Sequence, residues 1–361
     1  MSKNINHFSV TGPKYIIEED SINQLDQILN EKKLRITNAV TIIDKYFKNK
    51  KLPKIIYKTN IYYFDSILEP HTYHVDNIIS YFKKKLKNNK VDLVIGFGGG
   101  SVLDISKAFS IGYNSSKKIE CYQGWNKRIG KTIPKIGIPT ISGTGAESTK
   151  TCVLINKEKN IKLGINSEKS IFDYVILDPK LIKSVPKKQY FYTAMDAFIH
   201  SFECLEGSHR NLISDTYSNL VINLIDQTFK TNNIKSSINR KNLMLASYLG
   251  GVAIANSFVG LVHPISAGLS TVFGIHHCEA NCVALNSLKK YYPFYHKKFI
   301  NYLKINNIKI RKIPNINEKK ITDKLYESVI IHSKPLINAM GENYKEKLTY
   351  SELKKIFIKM Q

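Results

Sequence analysis

The stretch Val91-Asp-Leu-Val-Ile-Gly-Phe-Gly-Gly-Gly-Ser-Val-Leu-Asp-Ile-Ser-Lys107 decides the fold. It begins as a short apolar run rich in β-branched residues, breaks at a glycine cluster, and resumes with helical spacing. That is a strand, a tight loop and a helix. Glycines let a backbone approach a phosphate closely. A helix that starts just after them aims its free amides at the same place, which favours anions. Ser101 is expected to be the N-cap, with Asp104 three residues on as a capping-box acid. The third glycine position of a GxGxxG fingerprint is held by Ser101, so this is not the common dinucleotide signature. The plainer alternative is a strand-to-helix turn with no ligand. Gly98, Gly99, Gly100 and Ser101 are the candidate phosphate contacts.

Working outward, residues 40–43, 135–138 and 171–177 are further apolar strand candidates, and residues 21–29, 75–86 and 102–111 have helical patterns. Strands alternating with helices predict a parallel sheet covered on both faces. Asp44 closes the first of these strands. An acid there can accept from a ribose hydroxyl and repel a 2′-phosphate, or it can be a solvated turn residue. A second polar loop, Thr140-Ile-Ser-Gly-Thr-Gly-Ala-Glu-Ser148, also follows a strand, and Thr140, Ser142 and Thr144 are candidates to contact a nucleotide from the other side. Beyond Ser184-Val185-Pro186 the patterns are helical throughout: 190–206, 215–229, 242–255, 278–290 and 351–359. The expected division is an α/β nucleotide-binding domain over 1–184 and an all-α domain over 185–361.

Composition bounds the rest. The net charge is +25, with 54 Lys and Arg against 29 Asp and Glu. The lysines are scattered and no nucleic-acid reading motif accompanies them, so no nucleic-acid partner is expected. Residues 242–278 contain no charged side chain, a length that would span a bilayer. Asn256, Ser257, His263, Pro264 and five glycines interrupt it, which predicts two buried helices and no membrane partner. The N-terminal MSKNINHFSV does not read as a signal peptide. The five cysteines form no CxxC pair, so free thiols and a cytoplasmic location are expected.

Asp196 and His200 stand four apart in a run that is otherwise almost entirely apolar, so a helix puts both on one face. A carboxylate buried among aromatics is costly unless it is paired or bound to a cation. His263 and His277 lie in or at the end of the charge-free stretch. Three imidazoles and a carboxylate suit Fe²⁺ or Zn²⁺ with a position left for a substrate oxygen. A hydrogen-bonded Asp–His core pair with two unrelated histidines is the alternative.

These blocks have a familiar order. Gly98-Gly-Gly-Ser-Val-Leu-Asp-Ile-Ser-Lys107 resembles the GGGSxxDxxK motif of the iron-containing alcohol dehydrogenases. Ile138 to Glu147, Asp178-Pro179, Met195 to Glu203 and His263 to Asn281 resemble that family's following blocks, and Glu69-Pro70 an early one, with His71 where Asn is usual. The resemblance runs from about residue 8 to 300. It implies a dehydroquinate-synthase-like fold, NAD as cofactor, and a divalent metal, Fe²⁺ or Zn²⁺, held by Asp196, His200, His263 and His277 between the two domains. It places Asp44 at the ribose. Ala267 stands where the family usually has a second His, and Cys278 where Gly is usual. Tyr122-Gln-Gly-Trp125 and the His276-His277 doublet resemble the 3-deoxy-manno-octulosonate 8-oxidase branch, which acts in lipopolysaccharide biosynthesis.

The implied reaction is reversible hydride transfer between a primary alcohol and NAD. The expected substrate is a small-molecule alcohol or sugar acid, best matched by the 8-hydroxyl of a 3-deoxy-octulosonate ahead of amination. Tyr190 and Tyr192 are expected to hydrogen-bond such a polyhydroxylated ligand. A generic NAD-dependent alcohol or polyol dehydrogenase is the alternative, with a sugar-phosphate cyclase of the same fold and a nucleic-acid binder as rivals. No protein nucleophile is assigned, and a homodimer is an open expectation.

Overall fold

The computed structural model describes residues 12–361 apart from 32, 68, 232 and 317. The N-terminal stretch judged not to be a signal peptide lies outside the described residues. The first part of the chain runs β1 (Lys14–Ile17), α1 (Leu25–Glu31), β2 (Val40–Asp44), β3 (Asn60–Phe64), α2 (Thr72–Lys85), β4 (Val94–Gly98), α3 (Gly100–Gly112), β5 (Lys135–Pro139), β6 (Thr151–Asn156), β7 (Ile161–Asn166) and β8 (Tyr174–Leu177). Six strands form one sheet in the order β1-β8-β5-β4-β2-β3, and every pairing in it is parallel. β6 and β7 make a separate antiparallel hairpin, which the sequence reading missed.

Strand β4 shows why the sheet sits centrally. Val94, Ile95, Gly96, Phe97 and Gly98 are all buried. Val94 packs with α2 and α3 on one face, while Ile95 and Phe97 pack with α1 on the other. Alternate residues of a strand point to opposite faces, so a strand covered on both sides must be apolar throughout. β4 begins three residues later than the apolar run suggested and continues to Gly98, where it pairs with Pro139. The chain reverses its direction of travel across the sheet between β2 and β4. Ligands of open parallel sheets bind at the strand C-termini beside such a switch. Asp44 and the glycine loop both lie there.

After Leu177 the described residues form helices only: α4 (Lys187–Glu206), α5 (Leu212–Phe229), α6 (Ser237–Ala255), α7 (Val262–Phe273), α8 (His277–Ser287), α9 (Pro293–Asn306), α10 (Lys319–Ile330), α11 (Ser333–Met340), α12 (Tyr344–Lys347) and α13 (Tyr350–Ile358). The charge-free stretch is α6, α7 and the turns around them, two buried helices rather than one span. No helix among the described residues is long and apolar enough to cross a membrane. α4 lies at the centre of this part, with 16 of its 20 residues buried. The aromatic side chains of Phe191, Phe198 and Phe202 pack against Phe229, Tyr295 and Tyr302.

The polar loop after β5 joins the two parts. Ser247 on α6 accepts hydrogen bonds from the backbone amides of Gly143 (2.7 Å) and Gly145 (3.2 Å), and donates to Glu147 (2.7 Å). A Cβ on Gly143 would lie 1.6 Å from the carbonyl oxygen of Thr193. Gly145 has φ +60°, and a Cβ there would come within 2.6 Å of Gly251 Cα. Glycine is required at both by contact with helix backbone.

Candidate metal centre and nucleotide cleft

α4 carries Asp196 and His200 one turn apart. His263 opens α7 and His277 opens α8. Their Nε2 atoms converge on one carboxylate. His200 and His263 stand 3.6 and 3.5 Å from Asp196 Oδ1, and His277 stands 3.8 Å from Oδ2. Two atoms bound to one tetrahedral ion at about 2.0–2.2 Å are about 3.3–3.6 Å apart. The observed spacings are near that edge length and longer than a good hydrogen bond. The ligand atoms of Asp196, His263 and His277 all lie within 4.8 Å of one another. His200 stands beside this tight group, its ring stacked on His263 at 4.7 Å between centroids. Of the doublet, His277 faces Asp196, as the sequence reading chose.

Charge around this point calls for a cation. Asp196 is wholly buried. Burial would raise its pKa, but the imidazoles of His200, His277 and His263 hold it well below the usual carboxylate range. Burial, only partly opposed by Asp196, brings His200 down to about 4 and His277 down to about 3. Both rings are therefore neutral at pH 7, the form in which imidazole binds metal. At His263 burial is outweighed by Glu203 and Asp196, which raise it to about 9. Two buried carboxylates thus bracket one imidazole. The donor set, its spacing and its excess negative charge fit a divalent ion.

Sequence reasoning missed two further residues here. Glu203, on the next turn of α4, accepts at Oε2 from His263 Nδ1 at 2.5 Å and at Oε1 from the Val262 amide at 2.6 Å. A carboxylate behind a histidine fixes its tautomer and ring orientation. The available signal was an acid three residues after His200 in an apolar helix. Asn281 donates from Nδ2 to Asp196 Oδ1 at 2.6 Å and stands 3.3–3.4 Å from the Nε2 atoms of His277 and His263. It lies one turn after His277 on α8. Glu69 reaches across from the sheet side. Its Oε1 accepts from the His277 amide at 3.1 Å, and its Oε2 from Lys162 at 2.6 Å.

These side chains face a cleft of about 440 Å³, lined also by Gly99, Gly100, Ser101 and Thr144. The first turn of α3 therefore opens on the same space as the histidines. The helix starts at Gly100 with Gly99 as its cap, and no side chain caps it. Ser101 is therefore inside the helix, and Asp104 is not a capping-box acid. Asp104 is half-buried and lines the cleft, accepts from the Val153 amide at 3.0 Å, and is raised to about 6 by desolvation, partly opposed by Lys107. The glycine run is also a packing requirement. A Cβ on Gly98 would meet Val102 at 2.7 Å, one on Gly99 Ile141 at 2.4 Å, and one on Gly100 Thr144 at 3.0 Å.

Gly98, Thr140, Ser142 and Asp44 do not line the cleft. Asp44 caps the turn after β2 by accepting from the Tyr46 amide at 2.9 Å. Its other oxygen accepts from Ser66 Oγ at 2.5 Å, and Ser66 does line the cleft. Lys107, wholly buried, donates to the carbonyls of Thr149 and Thr151, both at 2.9 Å, and so holds the turn into β6. Tyr190 and Tyr192 depart from expectation. Neither lines the cleft, both are buried, and the Tyr190 hydroxyl donates to the Ile234 carbonyl at 2.9 Å. Tyr190, six residues before Asp196, faces another side of α4, while Tyr192, one turn before Asp196, is on the Asp196 side but buried outside the cleft lining. Ala267, His276, Gly124 and Trp125 do line the cleft.

Comparison with known proteins agrees with this layout. Residues 12–179 match the family model described as iron-containing alcohol dehydrogenase. Residues 190–330 match the C-terminal model of the Fe-containing alcohol dehydrogenase family. The sulfoacetaldehyde reductase of Bilophila wadsworthia is 35% identical over 52% of this chain and 49% of its own length. The 4-hydroxybutyrate dehydrogenase of Clostridium kluyveri is 29% identical over 67% of this chain and 66% of its own. The matched part thus spans about half to two thirds of these relatives. A solved sulfoacetaldehyde reductase from Bifidobacterium kashiwanohense, in complex with NAD⁺, superposes with a TM-score of 0.82 at 20% identity, covering 98% of this chain and 99% of that one. The fold is thus the dehydroquinate-synthase-like one expected. By the two family models, which between them take in the glycine loop, the polar loop and all the residues around Asp196, this chain belongs to the iron-containing alcohol dehydrogenase family.

Proposed function

We propose that the chain is an NAD-linked, metal-dependent dehydrogenase that oxidises a primary alcohol to an aldehyde. One observation carries this. Three imidazole Nε2 atoms converge on the buried Asp196 carboxylate in the same cleft that receives the first turn of α3. Asp196, His200, His263 and His277 are the proposed metal ligands. Gly98, Gly99, Gly100, Ser101, Thr140, Ser142 and Thr144 are the proposed cofactor loops, with Asp44 at the ribose. The division into a nucleotide domain over 1–184 and a metal-binding domain over 185–361 is part of this reading, as is a cytoplasmic location.

Asp196, His200, His263 and His277 would hold a divalent ion that would supply Lewis acidity, and NAD at the two loops would supply the hydride acceptor, for the balance R–CH₂OH and NAD⁺ to R–CHO, NADH and a proton. The chain's own residues do the positioning. The α3 amides are placed to bind an anion such as the pyrophosphate. Glu203 holds the proton on His263 Nδ1, which leaves Nε2 directed at Asp196. Ile254, Ala255 and Val259 make an apolar wall that limits water.

The substrate proposed is a primary alcohol on an anionic sugar acid, with a 3-deoxy-octulosonate oxidised at its terminal carbon as the leading candidate. Ala267 leaves room and no base at the cleft wall, and Lys150 and Lys162 line the cleft. Sulfoacetaldehyde and 4-hydroxybutyrate, for which two relatives are named, are also anionic. The test is NADH formation by protein loaded with Fe²⁺ or Zn²⁺ against octulosonate, 4-hydroxybutyrate, neutral polyols, propanediol and short alkanols. Faster turnover of alkanols or propanediol than of every acid would discard the sugar-acid reading. No NAD reduction with any alcohol and either metal would discard the dehydrogenase.

A further inference from the structure

The chain has a single tryptophan, Trp125, and it lines the cleft. Its ring meets Phe258, another cleft residue, edge to face at 5.4 Å. Lys334, at the start of α11, places its ammonium 4.1 Å from the Trp125 ring centroid and 5.4 Å from that of Phe258. The residues on either side of it, Ser333 and Pro335, line the cleft as well. Three distant pieces of chain, near 125, 258 and 334, therefore meet at one cation.

A lysine with four rotatable bonds is usually mobile and fully hydrated. Here two aromatic faces hold it in place. A ring attracts an ammonium without neutralising it. No ion pair among the described residues includes Lys334. The nearby cations are not dispersed either. Burial, opposed by Glu168, and the Lys334 ammonium together lower the pKa of Lys150, which also lines the cleft. Burial lowers Lys334 itself. Lys162, by contrast, is already committed to Glu69. The Lys334 ammonium thus sits over two cleft-lining rings with no carboxylate paired to it among the described residues.

We propose that Lys334, seated on Trp125 and Phe258, is the residue that recognises a carboxylate on the alcohol substrate, with Lys150 adding to the local field. This rests on the dehydrogenase reading for its kinetic test, but not for its binding test. It makes the preferred class a hydroxy acid, a chain with a primary alcohol and a carboxylate, and it gives Trp125 the role of positioning the ammonium.

The experiment compares wild type with Lys334→Gln and Lys334→Arg on two matched pairs, gluconate against sorbitol and 4-hydroxybutyrate against 1,4-butanediol. Within each pair the two probes differ in charge and little else. For the acids, Lys334→Gln is expected to raise KM about tenfold, the size of one charge-assisted contact, with kcat changed little. Lys334→Arg should restore most of that, and the neutral partners should be unaffected. In parallel, emission from the single Trp125 is titrated with the same four compounds. A saturable change with an acid, absent with its neutral partner and lost in Lys334→Gln, is the expected result. Equal effects of Lys334→Gln on acids and neutral partners, or none on either, would overturn the proposal. If wild type forms no NADH with any substrate, the dehydrogenase reading fails, and the emission titration alone decides the carboxylate site. Charge-independent titration there would overturn it.

Discussion

Replacing Glu203 with Gln tests the metal centre without touching a proposed ligand. Glu203 is 1% exposed, and each of its oxygens accepts one short hydrogen bond, from His263 Nδ1 at 2.5 Å and from the Val262 amide at 2.6 Å. Gln keeps the volume and one acceptor oxygen. It removes the charge and turns the other oxygen into an amide donor facing the His263 N–H. Hydrogen bonds to charged groups contribute about 1.5–3 kcal/mol each, so the loss at His263 should be of that order. Part of it falls on folding and part on metal binding, because the ring that Glu203 orients is the one whose Nε2 stands 3.5 Å from Asp196. Removing a carboxylate behind a ligand histidine weakens metal binding by about 10- to 100-fold. Zn²⁺ affinity is measured by chelator competition, and thermal unfolding is followed with and without metal. The expected result is weaker binding and a larger fall in Tm for the loaded protein than for the metal-free one. Equal falls in Tm with unchanged affinity would show that Glu203 is only a core hydrogen bond and that His263 is not a ligand.

Asp196→Ala and His263→Ala should each abolish turnover and reduce bound metal, measured by elemental analysis; full occupancy and activity in both variants would remove the metal assignment. NAD should be preferred over NADP, since repulsion between Asp44 and a 2′-phosphate is worth about 1–4 kcal/mol; Asp44→Ala should narrow the ratio of kcat/KM, and a wild-type preference for NADP would show that Asp44 does not face the ribose. Asp104 gives a pH signature. Its folded pKa of about 6 lies above the ordinary aspartate value, so the folded state binds the proton more tightly and stability falls as pH rises through that window. Asp104→Asn should therefore raise Tm above pH 6, with the gain shrinking toward pH 5; a gain independent of pH would contradict the raised pKa. Lys107→Met should destabilise by about 2–4 kcal/mol in urea unfolding, because it takes the ammonium from the carbonyls of Thr149 and Thr151, the latter keeping the Thr149 hydroxyl at 3.1 Å; a loss below about 0.5 kcal/mol would mean that water replaces the ammonium.

What was legible in the sequence follows physical rules of range. The strand, glycine loop and helix from 91 to 107 could be read because hydrophobic period and glycine clustering are local signals. Asp196 and His200 could be read because a charge in an apolar helix stands out at four-residue spacing. β1 and β3 were not found. Lys14-Tyr-Ile-Ile17 and Asn60-Ile-Tyr-Tyr-Phe64 are short edge strands with exposed or half-buried residues and no clear alternation. The hairpin of β6 and β7 was hidden by the lysines and asparagines at its turn. Tyr190 and Tyr192 were placed at a ligand because they neighbour Asp196 in sequence, but Tyr190 faces another side of α4 and Tyr192, a turn before Asp196, is buried outside the cleft lining. Ser101 was read as a cap from its type alone, while the cap is Gly99, chosen by the close approach of Ile141. Lys334 could not be found by any local rule, since its meaning comes from a tryptophan about two hundred residues earlier.

The contacts at Gly143 and Gly145 set a mechanical limit on the molecule. There the sheet part and the helical part touch main chain to main chain, and a single missing carbon atom is the whole clearance at each point. Such a joint behaves as a rivet. Sliding the loop along α4 or α6 would drive backbone atoms into one another, while slight rotation about the loop would not. Side chains introduced at 143 or 145 would therefore jam the joint between the two parts long before they altered the chemistry.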